Sequence, residues 1–355
     1  FLHHVCQVAS EKGNPYFVFD RGDTAKISQC CRLSFKLEAR DYEEDVQEPW
    51  RMRYCALQNV TLNLPRLGYL AKDNDVALFA RLSELMELTA QAHMQKRVFI
   101  EKLLAMGETG PLALLTMKRD GNSYLRMDRA THLIGILGLN ELVQIHTGRE
   151  IHQSEEAFKF GLKVISHMKL VADKLSQRHN LRFLLEQTPG ESTTHRFAKL
   201  DLKYHSPHAG HVVKGDVSRG EIYYTNSTLI NVGAPLNPIE RVKREGLFHP
   251  LIPAGSISHL WLGESKPSAE SLSSFVTKVF QKTQNDQIAF SPEFTTCNQC
   301  GQTARGLRSD CPSCGSKQVE GITRITGYFT KVSSWNKGKL GELRDRFRTL
   351  SLNAK

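Results

Sequence analysis

Two short cysteine pairs constrain this chain more than any other feature. Cys297-Asn-Gln-Cys300 and Cys311-Pro-Ser-Cys314 stand ten residues apart, and Gly301 and Gly315 directly follow them. A CxxC turn faces two thiolates the same way, so two such turns can present four sulfurs tetrahedrally to one Zn2+. The spacing therefore predicts a zinc ribbon over residues 291–320. It lies within a stretch from Ser291 to Thr323 that is rich in Cys, Gly, Ser and Thr and poor in large apolar side chains. A site closed by four cysteines leaves the metal no open position, so this zinc is expected to be structural. Use of the same thiols as redox dithiols is the alternative.

Ahead of the ribbon, helix-like and strand-like runs alternate. Val76, Phe79, Leu82, Leu85 and Met86 recur at helical spacing, predicting a long helix capped at Asp73 or Asn74 and stopping at Gly107. A second helix is expected from Ser154, with Glu155 and Glu156 in its first turn, to about His179, leading into a strand from Leu181 to Leu185. Further strands are expected at Val60 to Leu64, Gly220 to Thr225, Ser256 to Leu262 and Ile288 to Phe290, and a helix after Pro267. This alternation implies an α/β fold with a largely parallel sheet or barrel.

Composition narrows the function classes. Of 355 residues 40% are hydrophobic, enough for a sizeable core, and 47 Lys and Arg against 37 Asp and Glu leave a net charge of +10, which favours anionic partners. No apolar run reaches the roughly 18 residues of a membrane helix. Walker A, HExxH and GxSxG patterns do not occur, which removes P-loop, zincin and common serine hydrolase readings. Eight cysteines without a secretory signal read as reduced thiols in a cytoplasmic protein. A start at Phe1 reads as a fragment or processed product. His205, His208 and His211 read as a Pro- and Gly-rich surface loop rather than a metal site, and Cys6 has no evident role.

The predicted Leu181 strand runs into Thr188-Pro189-Gly190-Glu191-Ser192-Thr193-Thr194, then into the helix-like His195 to Leu200. A Gly, Ser and Thr loop opening a helix offers free N–H groups and hydroxyls to an anion. Gly190, Glu191, Ser192, Thr193 and Thr194 are thus candidates for a phosphate cradle, with a plain helix N-cap as the alternative. From composition alone, Tyr223 to Ser227 is only a strand and turn.

After the ribbon come Arg324-Ile325-Thr326-Gly327-Tyr328 and Trp335-Asn336-Lys337-Gly338-Lys339-Leu340. With the ribbon before them, these segments resemble the C-terminal glycyl radical region of anaerobic, class III ribonucleoside-triphosphate reductases. The resemblance implies a radical on Gly327, where only a residue without Cβ lets the Cα become planar without a clash. It also implies a separate radical S-adenosylmethionine activase, which holds the Fe–S cluster and removes the hydrogen. Gln29-Cys30-Cys31-Arg32-Leu33 resembles the family's finger loop and puts the transient thiyl radical on Cys31; Gly13-Asn14-Pro15-Tyr16-Phe17 looks like the approach to it. By the same resemblance the thiyl abstracts the ribose 3′ hydrogen, water leaves C2′ and an outside reductant supplies electrons. Asn63, within Thr61-Leu62-Asn63-Leu64-Pro65-Arg66, and Asn226 and Ser227 fall at substrate-binding positions, as does the TPxES loop. Formate-using members carry an asparagine a few residues before the NLPR segment. Here that count lands on Ala56, beside Cys55, so Cys30 and Cys55 are implied as reductant thiols served by a thioredoxin- or glutaredoxin-like protein, with formate as the alternative.

The implied fold is the second half of a ten-stranded α/β barrel. Residues 1–290 would form the partial barrel with the finger loop and residues 321–355 the glycyl radical loop and tail. The first half-barrel and any regulatory nucleotide domain would precede residue 1. Ribonucleoside triphosphates, the activase, the reductant and a second copy in a homodimer are the expected partners, with no membrane and no direct nucleic acid. Two other readings compete. A formate-lyase or dehydratase type of glycyl radical enzyme does not account for the ribbon and the WNKGK tail. A basic zinc-ribbon protein contacting nucleic acid through Arg305, Arg308 and Lys317 leaves Cys30-Cys31 and RITGY unexplained.

Overall fold

The computed structural model describes residues 1–21, 26–28, 33–36 and 42–348. Three strands, Cys55–Asn63, Ala130–Leu137 and Arg182–Gln187, lie parallel in that order. Helices Leu64–Ala71 and Asp75–Leu104 connect the first to the second, and Leu139–Thr147 and Glu155–His179 connect the second to the third. Parallel neighbours need such crossovers, since their ends lie a full strand apart. A second sheet pairs Ser258–Gly263 parallel with Gln287–Pro292 around helix Ala269–Lys282, and Tyr16–Val18 lies antiparallel on the outer side of Gln287–Pro292. The Arg182 strand is tied to the segment entering this second sheet. Ala254 N donates to Leu185 O at 3.1 Å, and Gln187 Oε1 accepts from Ile257 N at 2.9 Å. The result is a mixed α/β fold.

The predicted caps form. Asn74 Oδ1 accepts from Ala77 N at 2.9 Å and Ser154 Oγ from Ala157 N at 3.1 Å, which satisfies N–H groups that a helix start leaves unpaired. The apolar stripes these helices carry meet on one face of the first sheet. Leu78, Leu82 and Met86 from one, and Val164, Ile165, Met168 and Leu175 from the other, pack with Leu62, Ile134, Ile136, Phe183 and Leu185. Cys6 joins a second cluster with Phe17, Leu260, Phe275 and Phe290; burial pushes its thiol up, so it behaves as a small hydrophobe.

Two differences from the sequence reading bear on the first sheet. The Ala130–Leu137 strand was not anticipated: buried along its whole length, it presents a short apolar run with no alternation to betray its period. The strand expected at Val60 to Leu64 starts earlier, at Cys55, and stops at Asn63. Leu64 instead opens a helix, because Pro65 lacks an N–H and fits only its first turn.

Between the long helix and the sheet sit two buried imidazoles. His93 Nε2 donates to Leu133 O at 3.0 Å and His132 Nδ1 to Arg182 O at 3.2 Å, with ring centroids 5.5 Å apart. Burial lowers both, His132 from 6.5 to about 4. Between those two values the unfolded chain binds a proton at this position that the native chain refuses. Stability should therefore fall as pH drops from 6.5 towards 4, by at most about 1.4 kcal/mol per pH unit for this residue. Urea unfolding at pH 7 and 5 should show a smaller loss in His132→Gln than in the parent, and equal losses would refute the assignment.

Candidate active site

The carboxyl ends of the three parallel strands converge on one region, the usual location of ligand sites in open α/β sheets. Asn63 ends the first strand, Gly138 follows the second and Thr188-Pro189-Gly190 follows the third. The Thr225–Ser227 loop is laid across them. Gly138 N donates to Thr225 O at 3.2 Å, and Leu139 N to Ser227 O at 3.1 Å. Glu141 accepts from Thr225 N at 3.1 Å and from Thr225 Oγ1 at 2.6 Å; its complete burial pushes the carboxyl up. Asp201, buried on helix Thr193–Tyr204, accepts from Asn63 Nδ2 at 3.0 Å, Arg66 Nε at 2.7 Å and Tyr224 Oη at 3.1 Å. These two carboxylates hold the loops in place.

The predicted cradle residues meet here. Gly190 has φ +60°, and a Cβ on it would run into Asn226 Oδ1 and come 3.1 Å from Thr194 Cγ2, so a side chain has no room. Ser192 occupies the N-cap position of helix Thr193–Tyr204, yet its side chain makes no cap bond. Asn63 Oδ1, Thr194 Oγ1, Asn226 Oδ1 and Ser227 Oγ are all buried with no hydrogen-bond partner among the described residues. Buried polar atoms are nearly always paired, and each unpaired one costs about 1–3 kcal/mol. Ser227 also has φ +47°, a left-handed backbone that non-glycine residues seldom adopt outside constrained sites.

The turn that carries Gly327 is bonded to the Gly190–Thr194 loop. Gly327 is buried in this turn, which joins strand Val319–Arg324 to Phe329–Lys331, antiparallel partners with Arg324 opposite Phe329. Thr326 Oγ1 donates to Glu191 Oε1 at 2.8 Å, and Asn336 Nδ2 donates to Glu191 O at 3.0 Å. The Gly190–Thr194 loop is thereby fastened to the glycine turn from both sides. The buried Arg324 guanidinium donates to Gly327 O at 2.5 Å, Tyr16 Oη at 2.6 Å and Asn14 O at 3.1 Å, between the rings of Tyr16 and Phe329. Arg346 donates to Arg324 O at 3.0 Å and Ile325 O at 3.1 Å, 3.8 Å over the Trp261 ring. The WNKGK segment supplies the rest of this clamp. Trp335 packs on Ile325 and Leu343, and Asn336 Oδ1 caps helix Lys337–Asp345 through Lys339 N at 3.1 Å.

The ribbon is a small antiparallel sheet containing Phe294–Cys297, Thr303–Arg305 and Val319–Arg324. The four Sγ atoms of Cys297, Cys300, Cys311 and Cys314 lie within 4.8 Å of one another, with Cys297 to Cys314 at 3.7 Å and Cys300 to Cys311 at 3.6 Å. A tetrahedron with Zn–S bonds of about 2.3 Å has edges of roughly 3.8 Å, so the set fits zinc. Gly301 N donates to Cys297 O at 3.0 Å and Gly315 N to Cys311 O at 2.9 Å, giving the two knuckles the same turn. The N–H of Cys300 lowers the Cys297 thiol and those of Cys314 and Ser313 lower Cys311 to about 6, while against the pull of the Ser316 N–H the neighbouring thiols push Cys314 up, so the four share protons that a bound cation would displace.

Of the remaining cysteine assignments, only Cys55 lies among the described residues, and it is not brought to this place. Cys30 and Cys31 lie outside the described residues. Cys55 opens the first strand opposite Ala130, eight residues and about 26 Å of strand from Asn63. It is half-buried, and burial raises its thiol. Sequence reasoning missed Asp201, Glu141 and Arg346, because nothing local marks a charged helix or tail residue as buried. Arg324 and Thr326 were visible only as members of the RITGY segment.

Comparison with known proteins agrees with this picture. The family described as "Anaerobic ribonucleoside-triphosphate reductase" matches residues 1–348. The anaerobic ribonucleoside-triphosphate reductase of Salmonella typhimurium is 25% identical over 317 residues, covering 82% of this chain and 42% of that protein. Its Haemophilus influenzae counterpart is 25% identical over 312 residues, with the same shares. The chain therefore spans less than half the length of these curated relatives. Among solved structures, an anaerobic ribonucleotide reductase superposes with a TM-score of 0.71 at 21% identity, over 84% of this chain and 46% of that one. The Thermotoga maritima anaerobic ribonucleotide reductase in complex with dATP and CTP superposes with a TM-score of 0.73 at 18% identity, over 96% and 52%. At these identities the superpositions establish a shared fold. With the family match running from the first residue through the tail helix, the chain belongs to the anaerobic ribonucleoside-triphosphate reductase family.

Proposed function

We propose that this chain reduces ribonucleoside triphosphates to deoxyribonucleoside triphosphates without oxygen, as the part of a reductase in which nucleotide, radical glycine and zinc ribbon come together. The observation that carries the reading is the fastening of the Gly190–Thr194 loop to the Gly327 turn through Glu191, Thr326 and Asn336, next to four buried and unpaired polar atoms. The start of helix Thr193–Tyr204 offers N–H groups and a favourable dipole to triphosphate oxygens. Asn63, Thr194, Asn226 and Ser227 supply polar atoms for the rest of the nucleotide. The bound CTP of the Thermotoga maritima relative is in keeping with such a ligand.

In this reading a separate radical S-adenosylmethionine activase, with its Fe–S cluster, removes a hydrogen atom from Gly327. Arg324 and Arg346 hold the turn closed, keeping water and oxygen from its Cα. The unpaired electron passes to Cys31, whose sulfur takes the 3′ hydrogen of the ribose. The 2′ hydroxyl takes one proton and leaves as water, a dithiol supplies two electrons and both protons as it closes to a disulfide, the second proton going to C2′, and the hydrogen returns to C3′. Bound zinc would cross-link the ribbon without taking part in the chemistry. We assign the reducing equivalents to a dithiol that includes Cys30, recharged by a thioredoxin- or glutaredoxin-like protein, because Ala56 stands where formate-using members carry asparagine; Cys55, at the far end of its strand from Asn63, is left out of that role. The two sheets would be the second half of a ten-stranded barrel, with the ribbon at 291–320 and the radical loop and tail at 321–355.

The test is anaerobic. Full-length protein treated with its activase should give a glycine-centred doublet in the electron spin resonance spectrum and convert CTP to dCTP with a thioredoxin system and no formate. Absence of the doublet in zinc-loaded protein would sink the reading, and turnover with formate alone would sink the thiol assignment.

A further inference from the structure

We infer that Arg324 is a catalytic residue: its guanidinium, hydrogen-bonded to the Gly327 carbonyl, draws electron density onto that oxygen and so makes the glycine easier to convert to a radical. The inference rests on the reductase reading above and gives this positive charge a part in the chemistry as well as in holding the turn.

Ile325 N donates to Tyr328 O at 3.1 Å, so Thr326 and Gly327 form the tip of a tight hairpin. Arg324 stands at the foot of that tip, opposite Phe329, and is only 2% exposed. Burying a guanidinium is costly unless oxygens surround it. Here it donates to Gly327 O at 2.5 Å, Tyr16 Oη at 2.6 Å and Asn14 O at 3.1 Å, and to Gly13 O, all of them uncharged acceptors. Its planar head lies between two rings, 4.5 Å from the centroid of Tyr16 and 4.6 Å from that of Phe329. Rings on two sides fix the plane, so the N–H aimed at Gly327 is held where it is.

In the resting glycine this carbonyl is an ordinary amide acceptor. Activation breaks the Cα–H bond homolytically, the hydrogen atom passing to the activase's radical and one electron staying on Cα. The nitrogen lone pair is then shared across Cα into the carbonyl, and the form with positive nitrogen and negative oxygen gains weight. A cationic donor at that oxygen therefore binds the radical more tightly than the glycine it came from, and such differential binding is what accelerates a step. Charge-assisted bonds are about twice as strong as neutral ones, and a buried setting strengthens them further. The donor stands in place before the electrons redistribute, so it costs no reorganisation at the moment of reaction. Arg346 provides the contrast. It donates to Arg324 O and Ile325 O, carbonyls outside the radical, and so holds the hairpin without sharing in the spin.

High-field spin resonance of activase-treated, full-length protein tests this. In Arg324→Gln the splitting of the glycine doublet should widen and its largest g value should rise above the parent's, as spin returns from nitrogen to Cα and the carbonyl oxygen. In the parent, arginine labelled with heavy nitrogen in the guanidinium should show a nitrogen coupling in double resonance, which decides the question if Arg324→Gln folds poorly or takes up no radical. An unshifted doublet in Arg324→Gln, or a labelled parent without the coupling, overturns the inference and leaves the reductase reading standing. An equal shift in Arg346→Gln also overturns it, since a loosened hairpin would then suffice. A parent without a doublet overturns both.

Discussion

Gly327→Ala is expected to reduce the glycine-centred doublet and nucleotide turnover to background in activase-treated, full-length protein. The site explains why nothing else in the chain can substitute. A carbon-centred radical on the backbone is stabilised between amide nitrogen and carbonyl only when the Cα can flatten, and a Cβ opposes that. The Gly327 carbonyl is also held by Arg324, and the two residues before it are held by Thr326–Glu191 and by Arg346 to the Ile325 carbonyl. The turn is thus presented in one fixed conformation. Spin resonance of parent and variant, with a melting curve to confirm that the variant is folded, checks the result. A doublet that persists in the variant would place the radical elsewhere.

Removing the ribbon's metal should have an effect nearly as large, and at a distance. Strand Phe294–Cys297 carries the first knuckle cysteine and pairs with Val319–Arg324, which in turn pairs with Phe329–Lys331. Gly327 is the turn between those last two strands. The four thiolates therefore pin one edge of the sheet whose other edge presents the glycine. Binding of structural zinc is worth about 10–16 kcal/mol in isolated zinc fingers, on the scale of the whole stability of a domain at about 5–15 kcal/mol. Cys297→Ser, or exhaustive chelation before activation, is expected to bring zinc content from one per chain to none, lower the melting temperature and abolish the doublet. Metal analysis alongside spin resonance reads both effects. A metal-free protein with full radical yield would show that the ribbon does not hold the hairpin.

The parts that sequence reasoning reached share a property. The CxxC knuckles, the caps at Asn74 and Ser154, and the Gly190 loop are each encoded within a few residues, where spacing and side-chain chemistry dictate a local shape. The RITGY and WNKGK segments were recognisable because they too are continuous. The central Ala130–Leu137 strand was not, since burial on both faces erases the alternation that marks a strand.

Most of the candidate site arises between segments far apart in the chain. Asp201 gathers Asn63, Arg66 and Tyr224, Glu191 meets Thr326 and Asn336, and Asn59 meets Glu186 across two strands. No local pattern signals any of these, because which side chain faces which is set by strand register and helix packing. By itself the sequence determined the four-cysteine cluster, the α/β class and the long helices, and it marked out the Gly190 and Gly327 segments. Only the tertiary structure decided that the Gly190–Thr194 loop is bonded to the Gly327 turn, that Arg324 and Arg346 hold that turn, and that Asn59 reaches Glu186 over Gly135. The physical reason is that parallel pairing sets side by side residues such as Cys55 and Ala130, or Thr131 and Arg182, that are far apart in the chain, and buried polar groups must then find partners wherever the fold delivers them.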